Sequence, residues 1–257
     1  MTALSYTVSD ALAMTRRNLI RYVRIPTLLV FSTVQPIMFV LLFAYVFGGA
    51  IRGLPPGEKY IDFLMSGIFV QTVVFGSTQT GVGLAEDLSK GMIERFRSLP
   101  MARSAVLANR TLGDSVRNTL VVILMTLVGV MIGFRIHTGV LPALLALVVA
   151  VGFGFAFSWI SATIGLAVHD VESAQTAGFI WVFPLTFASS VFVPLKTMPG
   201  WLQAFARVNP ITNTVNALRA LTYGGATTRP LLYSLAWIVG ILAVFMPFAT
   251  RTYRKVV

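Results

Sequence analysis

The side chains able to do chemistry are few, and their spacing does not assemble a catalyst. The two histidines, His137 and His169, lie far apart and near the ends of apolar runs, which argues against a metal site. Cysteine is absent, so there is no thiolate nucleophile, disulfide framework or thiolate metal centre. No GxxxxGK[ST] run cradles a phosphate chain and no HExxH places two histidines on one helical face. A GxSxG elbow for an activated serine is missing too. Asp62, Asp114, Arg117, His169, Asp170 and Glu172 all sit at or beyond the borders of apolar runs. A proton- or ion-coupled carrier usually holds an ionisable residue inside the membrane, and an intramembrane enzyme needs paired Asp or Ser–His there. Gln35, Gln71 and Gln79 are the notable polar residues within runs. Each is suited to a helix–helix hydrogen bond or, less commonly, a ligand contact. No catalytic residue is expected.

Composition names the elements that must carry whatever function remains. Of 257 residues, 56% are apolar and only 11% charged, with a mean hydropathy of +0.80. An ordinary soluble domain is about 25% charged. So little charge cannot coat a soluble globule, which excludes a cytosolic enzyme and a disordered chain and leaves an all-α polytopic membrane protein. A membrane helix needs about 20 largely apolar residues. Such runs lie at Thr27–Ala50, Phe63–Ala85, Asn118–Phe134, Leu141–Val168, Ser173–Leu195 and Leu231–Thr250. Six spans are expected, the third extending backwards into the preceding helical stretch. They leave no room for a separate soluble domain, so residues 1–257 form a single domain. The first 26 residues hold four arginines and no continuous apolar core, so no secretory leader is expected.

The formal net charge of +11 suits anionic headgroups, because the basic residues flank apolar runs. Six spans put both termini on one side. With the termini inside, thirteen basic residues fall in the cytoplasm, Lys90, Arg95, Arg97, Arg103, Arg110 and Arg117 among them. Seven fall outside, four of them between Lys196 and Pro230. The asymmetry predicts cytoplasmic termini in the cell membrane.

Three segments between or beside the spans are amphipathic. At about 100° per residue, Val8, Leu12, Leu19 and Val23 share one face and Arg17, Arg21 and Arg24 the other, the pattern of an interfacial helix ended by Pro26. In EDLSKGMIERFRSLP, Leu88, Met92, Phe96 and Leu99 form a stripe opposite Lys90, Glu94 and Arg97, and Pro100 ends the helix. That stripe must be buried, against the chain's own span ends or in the groove of a soluble partner. Periodicity does not choose between them. Residues 196–230 contain two proline-initiated segments, PGWLQAFARV and PITNTVNALRAL. Trp201, Phe205 and Val208 share a face in the first, Ile211, Val215 and Leu218 in the second. Neither is long enough to span, so two short half-depth or surface-lying helices meet at Asn209–Pro210. Small residues recur at packing distance in Gly129–Gly133, Ala150–Gly154, Ser161–Gly165 and Ala174–Gly178, within the bundle or across a dimer.

Taken in order, these features resemble the permease subunits of the type-2 ABC transporter family, close to the daunorubicin-resistance-type bacterial exporters of drugs and lipids. The resemblance covers nearly the whole chain. It rests on the basic N-terminal helix, on GMIERFRSLPMARSAVLANR and on MPGWLQ…NPIT…NALR. In the second, Gly91, Glu94, Arg95, Ser98, Leu99, Pro100 and Arg103 match the family pattern. The resemblance implies a cytoplasmic coupling helix formed by Leu88, Met92, Glu94, Arg95, Phe96, Arg97, Ser98, Leu99 and Pro100. It would dock on a separate ATP-binding subunit that carries ATP and Mg, so that this chain binds no cofactor. It also implies an extracytoplasmic gate at Trp201, Phe205, Asn209 and Pro210, and pairing with a second permease copy or paralogue. Binding-protein-dependent ABC importers carry Glu-Ala-Ala, a glycine and a later Leu-Pro; Glu86, Gly91, Leu99 and Pro100 echo this, but no alanine pair follows Glu86. An ATP-independent carrier or channel is the other alternative. Substrate-contacting residues are not assigned.

Overall fold

The computed structural model describes residues 26–51, 53–54, 57–90, 103–168 and 170–256. Every regular element among them is helical. Helix α1 (Pro26–Leu41) continues directly into π-helical turns at Leu42–Phe47. Then come α2 (Tyr60–Ser89), α3 (Arg103–Ile132), α4 (Val140–Val168) and α5 (Val171–Phe187). The short α6 (Gly200–Val208) and α7 (Pro210–Thr222) precede α8 (Thr228–Val256). The expected N-terminal interfacial helix lies outside the described residues.

Among the described residues, four helices, α2, α3, α4 and α8, are long and apolar enough to cross a membrane. The third apolar run does extend backwards: its helix begins at Arg103, well before Asn118. The run Ser173–Leu195 behaves differently, because α5 has only 17 residues and stops at Phe187. Residues 188–194 leave the helix although they include the apolar run Val191, Phe192 and Val193. Their backbone groups find partners on other helices, as described below.

Helix α2 is the centre of the bundle. It packs on α3, α4, α5 and α7, and most of its side chains are buried. Leu64, Ile68 and Val73 join Phe153 and Phe157 of α4 and Val215 and Leu218 of α7 in one continuous core. The small-residue pairs explain how closely the helices approach. A methyl on Gly165 would lie 2.1 Å from the Gly81 carbonyl oxygen, and one on Gly81 would lie 2.4 Å from that of Ser161. Gly154 faces Val73, Gly178 faces Thr78 and Gly129 faces Met65. Each of these contacts is on α2, so the stripes serve packing within the bundle. Outward, α4 and α8 present Val140, Leu141, Leu144, Val148, Val239 and Val244, the surface expected against lipid tails.

Helices α2, α3 and α4 alternate in direction, and α8 runs the same way as α2 and α4. The start of α2 meets the α3–α4 turn, since Arg135 N–H donates to Asp62 Oδ1 at 2.9 Å. At the other end, Leu84 of α2, Leu107 of α3, Leu166 of α4 and Tyr253 of α8 form a second cluster. The chain's C-terminal helix thus ends on the side where residues 90–102 link α2 to α3.

Candidate functional site

Two polar assemblies close the two ends of this apolar bundle. The first lies where α2 and α3 flank residues 90–102. Asp87 pairs with Arg110, and Thr80 donates to Asp114 at 2.5 Å. Arg117 lies 3.4 Å from Asp114 and donates to the Gly76 carbonyl at 2.6 Å. Gly76 and Gly83 have no side chains because the Asn118 amide and the Arg110 guanidinium fill that space. These charges are half-buried, and each pairing ties α2 to α3 or α3 to itself. The two helices are therefore braced together beside the segment that joins them. Of the stripe expected to face a partner, Leu88 is half-buried on the last turn of α2, against the cluster of Leu84, Leu107 and Tyr253. Met92, Glu94, Arg95, Phe96, Arg97, Ser98, Leu99 and Pro100 lie outside the described residues.

The second assembly is at the opposite end and is centred on α7. Proline at its first position suits a helix start, and Asn209 caps it by accepting from Ile211 N–H at 2.9 Å. The Asn209 amide also donates to the carbonyls of Leu185 and Ala188, at 2.8 and 3.1 Å. One buried asparagine thus starts α7 and satisfies the end of α5. Thr212 accepts from Ser190 N–H at 3.1 Å, and Tyr60 donates to the Phe192 carbonyl at 2.9 Å.

Arg219 completes the clamp. It donates through Nε to the Phe63 carbonyl at 3.1 Å, through Nη1 to Ser190 Oγ at 3.2 Å, and through Nη2 to the Ser190 carbonyl at 2.6 Å and the Val191 carbonyl at 3.3 Å. Its guanidinium carbon lies 3.3 Å from the centre of the Phe63 ring. Irregular backbone is tolerated away from water only when other protein groups take its hydrogen bonds. Arg219 and Asn209 do that for residues 185–191, which is why α5 can stop early. Glu58 stands nearby with its Oε1 buried and without a hydrogen-bond donor among the described residues. Burial pushes its carboxyl above the usual range, against the opposing pull of Arg219.

Of the four residues expected to form an outer gate, Asn209 and Pro210 are the junction of this clamp. Trp201 and Phe205 point away from it, 76% and 44% exposed on α6. A tryptophan so placed suits the headgroup layer. In a variant retaining only Trp201, emission should be blue-shifted and quenched by lipids carrying bromine at shallow depth. A water-like maximum indifferent to such lipids would place α6 in solvent instead. Sequence reading weighed Arg219 only for topology, yet Ile211, Val215 and Arg219 fall on one helical face. A basic residue on the buried stripe was the available signal. Gln35 and Gln79 are exposed, while Gln71 is buried with its Oε1 lacking a partner among the described residues.

Comparison with known proteins covers the same length. The family model described as ABC-2 type transporter matches residues 10–223. The daunorubicin resistance ABC transporter permease protein DrrB1 of Streptomyces coeruleorubidus is 36% identical over 248 residues, 96% of this chain and 87% of that protein. The doxorubicin resistance ABC transporter permease protein DrrC of Mycobacterium tuberculosis is 27% identical over 248 residues, 96% of this chain and 89% of the relative. A transport permease of Cyanophora paradoxa, ycf38, is 27% identical over 83% of this chain and 74% of its own.

Proposed function

The chain belongs to the ABC-2 type transporter family as a permease, and we propose that it is the membrane subunit of a bacterial exporter driven by a separate ATP-binding subunit. The observation that carries this reading is the 36% identity to a daunorubicin resistance permease over 96% of the chain. The whole of residues 1–257 forms one permease domain with no nucleotide-binding part. The six-span topology has α1 with its π-helical extension and α5 as the two further crossings, and α6 and α7 as half-depth helices outside. Both termini and residues 90–117 are cytoplasmic, which the basic-residue asymmetry supports. The cargo is a hydrophobic or amphiphilic drug or lipid moved outward.

In the proposed mechanism ATP and Mg bind only to the partner, and two permease copies, or this chain and a paralogue, combine with two such partners. ATP binding closes the partner dimer and pushes on the segment that contains Phe96. The bracing of α2 to α3 by Asp87–Arg110 and Arg117–Gly76 would deliver that push to both helices at once. ATP can shift the two states only if the partner contacts them differently.

The test is association. Phe96→Asp puts a charge into the proposed docking stripe, where an unpaired buried charge is costly. It also removes apolar burial worth roughly 1.5–3 kcal/mol. More than tenfold weaker association should follow, since that needs only about 1.4 kcal/mol. The variant is expected to insert normally but to lose a co-purified P-loop ATPase and its substrate-stimulated turnover. Full retention of partner and turnover would overturn the coupling assignment. Failure of the unaltered chain to capture any such ATPase would favour an ATP-independent carrier.

A further inference from the structure

A cavity of about 600 Å³ opens beside the α7 clamp, between Gly53, Leu54 and Glu58, the loop 190–196 and the ends of α7 and α8. Its size lies in the range that accommodates drug-like molecules. Leu54, Phe63, Pro194 and Leu195 give it apolar walls, and Glu58, Asn216 and Arg219 give it polar ones. The polar groups are unequally satisfied. All three guanidinium nitrogens of Arg219 already donate to protein oxygens. Glu58 Oε1 is buried and accepts nothing among the described residues.

The charges are unequal as well. Two carboxylates, Glu58 and Asp62, interact electrostatically with each other, and the half-buried Arg219 is the cation opposite Glu58. His137, held edge-on to the cavity residue Tyr223 with ring centres 4.9 Å apart, also acts on Glu58, and Tyr60 acts on Arg219. Arg135 directs its guanidinium to the carbonyls of Val130 and Phe134. Lys196 is exposed on the rim. Among the described residues, the interior therefore lacks one positive charge and one hydrogen-bond donor, at the same carboxylate.

We propose that this cavity is a binding site for the ammonium end of an amphiphilic amine, with Glu58 as counterion and Leu54, Pro194 and Leu195 against the apolar body. An ammonium supplies both the missing charge and the missing donor, and a buried charge-assisted bond of this kind is strong. A neutral amphiphile supplies neither, and an anion would face Glu58 itself. The site rests on the exporter reading only for its role as a station near the exit; the binding stands independently of ATP.

The experiment measures binding to the full chain in phosphatidylcholine nanodiscs by probe fluorescence. Three probes share one body: dansylcadaverine, its N-acetyl derivative, and dansyl-6-aminohexanoic acid. The wild type should bind the amine at least tenfold more tightly than the acetamide, a difference of about 1.4 kcal/mol. Glu58→Gln, nearly the same shape, should remove that preference, Glu58→Asp should keep part of it, and Lys196→Ala should keep or strengthen it. Equal binding of amine and acetamide by the wild type would overturn the proposal. So would a preference that survives Glu58→Gln, or tighter binding of the carboxylate probe, which would mark an anion site at Arg219 and Lys196. ATP-driven transport by the wild type with its partner separates the two readings. Transport without amine preference sinks the site alone; amine preference lost in Glu58→Gln, without transport, sinks the exporter alone.

Discussion

Replacing Arg219 with alanine is expected to leave little folded protein. The substitution removes every donor that reaches the carbonyls of Phe63, Ser190 and Val191 from α7. Each acceptor left buried and unpaired costs about 1–3 kcal/mol. Two of these carbonyls, those of Ser190 and Val191, lie outside any helix, so roughly 2–6 kcal/mol is at stake there. That is a large share of the 5–15 kcal/mol that separates native from unfolded chains. Residues 188–194 have no helix of their own to fall back on, so the α5–α6 connection should open first. Arg219→Lys should be intermediate, because an ammonium retains the charge but cannot fork to three carbonyls on two segments. Thermal unfolding in nanodiscs, together with protease cleavage between residues 188 and 199, measures both effects. An alanine variant melting with the wild type would show that the clamp is ornamental to stability.

That clamp also marks the limit of what the sequence discloses. The long helices follow from apolar run length alone, and α6 and α7 follow from proline at their starts and a stripe of Ile211 and Val215. Run length fails at Ser173–Leu195, because Val191, Phe192 and Val193 are as apolar as residues that stay helical. What ends α5 at Phe187 is the presence of Asn209 and Arg219, which supply donors from beyond the next helix. Pro184, Ser189, Ser190 and Pro194 mark the region locally, but nothing local points to donors at residues 209 and 219. The polar brace between α2 and α3 is hidden for a similar reason. Asp114 and Arg117 read as border residues until α2 brings Thr80 and the Gly76 carbonyl to them. The segment with Phe96, by contrast, stands out by its periodicity in sequence but lies outside the described residues. Small-residue spacing is legible too, yet it does not say which helix lies opposite.

The structure answers that last point, and the answer predicts the second large effect. Gly165 and Gly81 meet backbone to backbone, so Gly165→Val should separate α4 from α2. Its Cβ would stand 2.1 Å from the Gly81 carbonyl oxygen and 2.7 Å from the Gly81 Cα. Carbon contacts are favourable at about 3.5–4.0 Å, so the helices must part by more than 1 Å at their tightest crossing. No side chain can rotate to relieve this, because the obstructing atoms are main chain. Overpacking a core typically costs about 1–3 kcal/mol when side chains can adjust, and here they cannot. The contacts of Val73 with Gly154 and of Gly81 with Ser161 lie along the same interface and would loosen together. Gly240 on α8 provides the control: nothing lies within 4 Å of a methyl placed there. Gly240→Ala should be neutral or stabilise the helix by up to about 1 kcal/mol. The pair should therefore diverge in melting temperature, valine at 165 falling by many degrees and alanine at 240 holding or rising. If both variants melt with the wild type, α2 and α4 are not in the contact that the glycines describe, and the central position of α2 is wrong. If Gly165→Val unfolds while Gly240→Ala does not, the cost belongs to that crossing rather than to the loss of glycine from a membrane helix.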